Sequence, residues 1–282
     1  MTPLESMRVE DDGLACPEVG PWAEDKYRMI SLYDTLFSKG MRNKWGKRVY
    51  IDLYAGSGFG RIKGTSTVLK GSPILALTVP DPFDKYIFCE ESEELLDALR
   101  KRTERIAPTA SVDYVLGDCD EQIDKICSLI PQYSSTQTVL SLCFVDPFDF
   151  GIKHKTVRKL SEFYIDFLVL LAIGMDATRN YDLYVDGAST KIDEAIGNKD
   201  WRERWKQFAR KEDFRRFLAQ EFAKSMESLQ YLPQEQYQMK EVRTANRSLY
   251  YLALFSRNVR AFKFWQEVLK YAPNQQSFRF EE

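Results

Sequence analysis

Histidine is almost missing from this chain: His154 is the only one among 282 residues. That scarcity excludes histidine-rich zinc sites and leaves a Ser-His-Asp triad resting on a single ring. The five cysteines, Cys16, Cys89, Cys119, Cys127 and Cys143, form no C-x-x-C pair and follow no secretory signal. A disulfide framework is therefore not indicated, and the thiols are expected to be buried in a reducing cytoplasm. No apolar run approaches the roughly 20 residues of a bilayer crossing; the best, residues 167–174, is strand-sized, so a soluble protein is expected. Neither charge sign dominates. Forty basic against 42 acidic residues give a net charge of −2, which on average repels a polyanion, so nucleic-acid binding would need local patches. What remains is an ordinary globular composition, 44% hydrophobic and 29% charged, enough for one large α/β domain with insertions or two smaller ones.

The pattern along the chain favours the first. Residues 1–20 are acidic, with two prolines and two glycines and little periodicity, and are expected to form a flexible leader. From Trp22 apolar residues recur at helical spacing (Met29, Tyr33, Leu36, Phe37) until Gly40 offers a stop. Residues 49–54 then form a strand of β-formers running into Ala55-Gly56-Ser57-Gly58-Phe59-Gly60. A polar loop over 61–71 follows, with Ser72 as N-cap and Pro73 in the first turn of the next helix. Strand and helix then alternate: strands over 86–90, 111–116, 138–145 and 165–173, helices over 93–106, 121–130 and 155–163. The run 138–145 is apolar almost throughout, as expected of a strand covered on both faces. Residues 200–232 read as helical, aromatic and basic. Two late strands, 238–242 and 248–255, and a helix over 261–271 suggest a closing hairpin. The expected organisation is a cofactor-binding core over 21–174, a helical insertion over 175–236 available for substrate recognition, and strands and a helix over 237–282 that complete the core.

In an open parallel sheet, ligands sit outside the carboxyl ends of the strands. Here those ends carry Asp52 with the turn Tyr54-Ala55-Gly56-Ser57-Gly58, then Glu90-Glu91, Asp118-Cys119 and Asp146-Pro147. Glycines let the backbone turn tightly and approach a ligand where a Cβ would intrude. Glu90 is placed to accept both hydroxyls of a ribose, and Asp118 to take a hydrogen bond from an adenine amine. Each of these residues alone is as readily a turn former or helix cap; the ordered set is what points to a nucleoside cofactor. Glu90 lies 32 positions beyond Gly58, against about 20 in the dinucleotide fingerprint, which argues against NAD.

The segments Tyr50-Ile51-Asp52-Leu53-Tyr54-Ala55-Gly56-Ser57-Gly58, Gly71-Ser72-Pro73 and Phe144-Val145-Asp146-Pro147-Phe148 resemble the three-Cys-motif partner proteins. So do Gly20-Pro21-Trp22 with Lys26, and Tyr250-Tyr251-Leu252-Ala253-Leu254-Phe255 followed by Lys263-Phe264-Trp265. The resemblance implies a Rossmann-like class I methyltransferase fold: a mostly parallel seven-stranded sheet, a C-terminal antiparallel hairpin and a helical insertion. It also implies S-adenosylmethionine held by Asp52, Tyr54, Ala55, Gly56, Ser57, Gly58, Glu90, Glu91, Asp118 and Cys119. By wider similarity it implies kinship with enzymes that methylate adenine N6 in DNA or ribosomal RNA. Of their acidic-Pro-Pro-aromatic tetrapeptide, Asp146-Pro147-Phe148-Asp149 keeps the first two positions. Asp146 and the Pro147 carbonyl would accept hydrogen bonds from an amino group, Phe148 or Phe150 would stack on a base, and Lys26 would enter from the N-terminal helix. A three-cysteine-motif protein is the implied partner. A catalytically silent subunit that binds such a partner or nucleic acid is the alternative.

Three basic clusters offset the neutral total: Lys39, Arg42, Lys44, Lys47 and Arg48; the four basic residues of 100–105; and seven basic residues over 202–216 interleaved with Trp205, Phe208 and Phe214. Mixing of cations with aromatics suits single-stranded nucleic acid. The ordinary explanation of the last cluster is an amphipathic helix whose rings face the core and whose charges face water, and it is preferred.

Overall fold

The computed structural model describes residues 7–147, 151–173, 180–208, 210–233, 239–244 and 247–271. Short strands β1 (Arg8–Val9) and β2 (Glu18–Val19) precede helix α1 (Ala23–Met41). Strand β3 (Lys47–Asp52) is followed by β4 (Phe59–Ile62), β5 (Val68–Lys70) and α2 (Ser72–Leu77). Three β-α pairs come next: β6 (Lys85–Glu90) with α3 (Glu93–Ile106), β7 (Val112–Leu116) with α4 (Ile123–Leu129), and β8 (Val139–Val145) with α5 (His154–Leu160). Strand β9 (Ile165–Leu171) leads to helices α6 (Tyr181–Val185), α7 (Lys191–Ile196), α8 (Trp201–Trp205) and α9 (Phe214–Ser228). Strands β10 (Lys240–Thr244) and β11 (Arg247–Phe255) and helix α10 (Val259–Lys270) close the described chain.

Seven strands form the main sheet in the order β10-β11-β9-β8-β3-β6-β7. Neighbours from β9 through β7 are parallel, while β11 runs antiparallel to both β9 and β10. This order is a Rossmann-like, mostly parallel arrangement, and its terminal antiparallel hairpin separates it from an all-parallel dinucleotide fold. Period-two alternation drives the double winding. On β3, Val49 and Ile51 point into one core with α4, α5 and the helices after β9. Tyr50 points into the other, with α1, α2, α3 and α10. Both faces being covered, β8 and β9 are buried at every residue, which is why their sequences are apolar runs rather than alternating ones.

Four sequence expectations are corrected. Helix α1 does not stop at Gly40; a Cβ there would fall 2.4 Å from the Phe264 ring, so the glycine permits α1 and α10 to approach closely. The loop over 61–71 contains β4 and β5, which join β1 and β2 in a four-stranded sheet of order β1-β5-β4-β2. Residues 7–20, expected as a flexible leader, are therefore strapped to the body. Their anchor is Arg102, fully buried, which donates to Asp12 from both Nε (3.0 Å) and Nη2 (2.6 Å) and to the Ala15 carbonyl (2.9 Å). Finally, Gly71 rather than Ser72 caps α2, and Ser72 with Pro73 opens the helix.

The basic–aromatic stretch 201–216 resolves as the ordinary amphipathic case. Trp201, Trp205, Phe214 and Phe217 are buried in the same core as β8 and β9. Arg202 pairs with Asp193, Arg204 with Glu221, and Lys206 with Glu203. Arg42 pairs with Asp81, and Arg48, nearly buried, with Asp84. No helix of the described residues is long and apolar enough to cross a membrane. The five cysteines are all free, four of them buried.

Candidate active site

Strand order reverses between β3 and β8, so the turns leaving these two strands border a crevice at the carboxyl edge. The glycine turn fills one side of it. Gly56 and Gly58 have positive φ (59° and 80°), a region costly for residues bearing a Cβ. The two differ in what they face. A Cβ on Gly58 would lie 2.8 Å from Leu99 and 2.9 Å from Ile74, so this glycine serves packing. A Cβ on Gly56 would meet nothing within 4 Å; its surface is open.

Glu90 ties the turn to the second strand. Its Oε2 accepts from the Gly56 N–H (2.8 Å) and its Oε1 from the Ser92 N–H (2.9 Å). A carboxylate has about four lone-pair positions, so both oxygens keep acceptor capacity toward the crevice. The Ala55 N–H donates to the Cys89 carbonyl (2.9 Å), and the Ser57 hydroxyl to the Phe59 carbonyl (2.8 Å). Ser57 is thus buried and satisfied within the turn, and its carbonyl accepts from Arg102 Nη1 (2.7 Å). Sequence reading missed Arg102 as a support of this turn because it sits in a basic cluster. The available signal was its place on the apolar stripe of α3 with Leu96, Leu99 and Thr103.

Asp52 is fully buried at the tip of β3. Its Oδ1 accepts from the Tyr54 N–H (3.2 Å), while Oδ2 has no partner. Burial pushes this carboxyl from the ordinary 3.8 to about 7, against the lowering influence of the neighbouring Ser72 hydroxyl. Asp52 shapes the turn from beneath rather than facing a ligand openly. Asp118 is exposed; its Oδ1 accepts from the Asp120 (2.7 Å) and Glu121 (3.2 Å) N–H groups, a turn-forming role. Cys119 beside it is buried, which raises its thiol to about 12, and it lies next to the Tyr54 phenol. Glu91 is exposed.

Across the crevice, Lys26 Nζ of α1 reaches Asp146 Oδ2 at 2.6 Å, with both side chains mostly buried (11% and 18% exposed). Burial alone would lower the ammonium; the Asp146 carboxylate outweighs it and holds Lys26 above the usual lysine range. The Tyr27 ring lies 4.6 Å from the same Nζ, and Tyr250, with a buried and unpartnered hydroxyl, borders the pair. Pro147 is buried. Phe148 and Phe150 lie outside the described residues. His154 is the first residue of α5, a helix position rather than a base in the crevice, and burial lowers its pKa. Gly56 is thus joined to Glu90 and Lys26 to Asp146, at the carboxyl ends of β3, β6 and β8, with Asp52 buried beneath the turn and Asp118 and Glu91 exposed.

Among the described residues no group of His, Cys, Asp and Glu is arranged to hold a metal. No protein-family model matches the chain, and no curated protein matches it. Solved structures of similar architecture include a Legionella pneumophila protein at 12% identity, covering 88% of this chain and 92% of its own, with a TM-score of 0.49. Trm1 of Pyrococcus horikoshii, solved with S-adenosyl-L-methionine, matches at 8% identity over 93% of this chain and 64% of its own, TM-score 0.46. TYW2 of M. jannaschii, solved with AdoMet, matches at 12% identity over 80% and 77%, TM-score 0.35.

Proposed function

We propose that this protein is an S-adenosylmethionine-dependent methyltransferase acting on nucleic acid, with a base amino group such as adenine N6 as acceptor. The observation that carries the reading is the open face of Gly56 at the switch point, its N–H held by the Glu90 carboxylate, with the Lys26–Asp146 pair at the end of the neighbouring strand β8. A backbone without a Cβ beside a carboxylate with spare lone pairs fits a nucleoside with a ribose diol. Glu90 would hold that diol, and the turn Tyr54 to Gly58 would pass along the rest of the cofactor. The cofactor supplies an electrophilic methyl group; the protein's task is chiefly positioning.

Lys26 engages only Oδ2 of Asp146, leaving Oδ1 to accept a hydrogen bond from an amino N–H. That bond, with one to the Pro147 carbonyl, would orient the amine lone pair at the methyl carbon. The helices over 175–236 are assigned to substrate recognition. In support, Lys153 bonds Glu194 of α7 (2.9 Å) and the His154 ring packs on Gly197, tying that segment to the chain leaving β8.

Calorimetry of S-adenosylmethionine binding tests the reading, followed by radiolabelled methyl transfer to RNA, DNA and protein fractions. Wild type should bind at micromolar affinity or tighter, and Gly56→Val should abolish the heat while Asp52→Ala sharply weakens it. Purified protein giving no cofactor heat would end the proposal.

A second reading draws on the ion pair itself, since Lys26 already occupies Asp146. In it the chain is a silent subunit that binds a three-cysteine-motif protein, as the motif resemblance implies. Cofactor affinity without methyl incorporation into any fraction would favour it.

A further inference from the structure

The amino-terminal ends of the strands, opposite the crevice, carry an aromatic cluster that methyl transfer does not use. Tyr133, ahead of β8, and Tyr164, ahead of β9, have ring centroids 4.7 Å apart, and Trp45, ahead of β3, lies 5.7 Å from Tyr164. Both tyrosines are half exposed, at 49% and 53%. They border a cavity of about 170 Å³ walled by Pro131, Val139 and Phe163. That is below the roughly 300 Å³ at which pockets for drug-sized ligands begin, so it suits a single ring system.

Two polar groups mark the cavity as more than a packing gap. Ser141 lines it, is fully buried, and its hydroxyl has no partner. An unmet buried hydroxyl is costly, and a ligand atom in the cavity would remove that cost. At the rim Glu162 is exposed and presents a carboxylate able to accept from ring or exocyclic N–H groups.

Charge around the cluster is of one further kind. Lys44 and Lys47 flank Trp45, and among the described residues neither is in an ion pair. The segment is fixed against β8, since the Gly46 N–H donates to Thr138 Oγ1 (2.8 Å) and the Lys47 N–H to the Thr138 carbonyl (2.9 Å). The Arg257 guanidinium, donating to the Phe163 and Ser161 carbonyls, adds positive charge on the neighbouring side. Aromatic faces with unpaired cations are the composition that stacks bases and holds backbone phosphates.

We infer that this cavity is a nucleobase-binding site for single-stranded nucleic acid, with one base stacked against the exposed side of the Tyr133–Tyr164 pair and directed at the Ser141 hydroxyl, and the adjoining phosphates near Lys44 and Lys47. The strand β8 separates it from Asp146 by roughly 20 Å. The base held here is therefore not a methyl acceptor at the crevice but part of a flanking strand. The inference shares only its class of ligand with the proposed function.

Fluorescence anisotropy with labelled homopolymeric strands of about ten nucleotides, as RNA and as DNA, tests it on the full chain without cofactor. Wild type should bind, and Tyr133→Ala and Tyr164→Ala should each weaken binding about tenfold. Lys44→Ala and Lys47→Ala should each reduce the salt dependence, lowering the log–log slope by about 0.7. Thermal midpoints confirm that these substitutions leave the fold intact. Unchanged affinity in the tyrosine variants, no binding by wild type to RNA or DNA, or loss of self-association in their place would each overturn the inference. Cofactor heat measured on the same preparations reports separately on methyl transfer, so either idea can fail alone.

Discussion

Asp52 and Asp166 show how a single buried carboxyl carries pH dependence. Both are raised by burial from the ordinary 3.8 to about 7, Asp166 against the influence of the Ser256 hydroxyl and Arg257. Their folded-state values exceed the unfolded ones, so below about pH 4 both states are protonated and neither residue costs stability. Between about pH 4 and pH 7 the unfolded chain releases its protons first, and stability falls. Asp166→Asn, remote from the crevice, should remove its share of that decline, and urea midpoints compared at about pH 5 and pH 8 measure it. At the glycine turn, Gly58→Ala combines a positive φ with contacts below 3 Å to Leu99 and Ile74. It should cost about 2 kcal/mol by chemical denaturation. On the chemistry side, Asp146→Asn should lower the methyl-transfer rate constant by about two orders of magnitude with little change in cofactor affinity. Equal loss of both would place Asp146 in the fold rather than the reaction.

Among the elements, the amino-terminal strap is the least expected. A composition of acids, prolines and glycines without periodicity reads as leader, and locally it is: β1 and β2 are two residues each. They are held by partners far away in sequence, β5 and β4, and by the Asp12–Arg102 pair. Asp12→Ala would leave the Arg102 charge buried and short of its carboxylate, and about 3 kcal/mol of stability should be lost. Because Arg102 also holds the Ser57 carbonyl, the same variant should weaken cofactor binding, which calorimetry would register. An unchanged denaturation midpoint would show that the strap contributes nothing. Helix α9 teaches the opposite lesson. The sequence offered an amphipathic helix for the stretch that leads into it beside a nucleic-acid surface, and the burial of Phe214, Phe217 and Phe222 along α9 agrees with the former.

Across the whole molecule, the helices between β9 and β10 share one apolar core with the central strands, Trp201 and Trp205 packing in the same cluster as Val145 and Phe167. Unfolding should therefore be a single cooperative transition, with tryptophan fluorescence and far-ultraviolet circular dichroism superimposing in urea. Two resolved transitions would make the helical segment a separate domain. The sheet order assembles the crevice from segments far apart in the chain: Lys26 meets Asp146 across 120 positions, and Gly56 meets Glu90 across 34.

The sequence by itself determined the alternation of strands and helices, the closing hairpin and the acidic or glycine tip of each central strand. Those depend on local periodicity and turn chemistry, which a few neighbouring residues decide. Only the tertiary structure decided that Gly56 faces open space while Gly58 packs, that Asp52 is buried, that Asp146 is paired with Lys26, and that an arginine from a basic cluster supports the turn. Each of these turns on which distant atoms a side chain meets and how much water is left around it. Neighbours along the chain set neither.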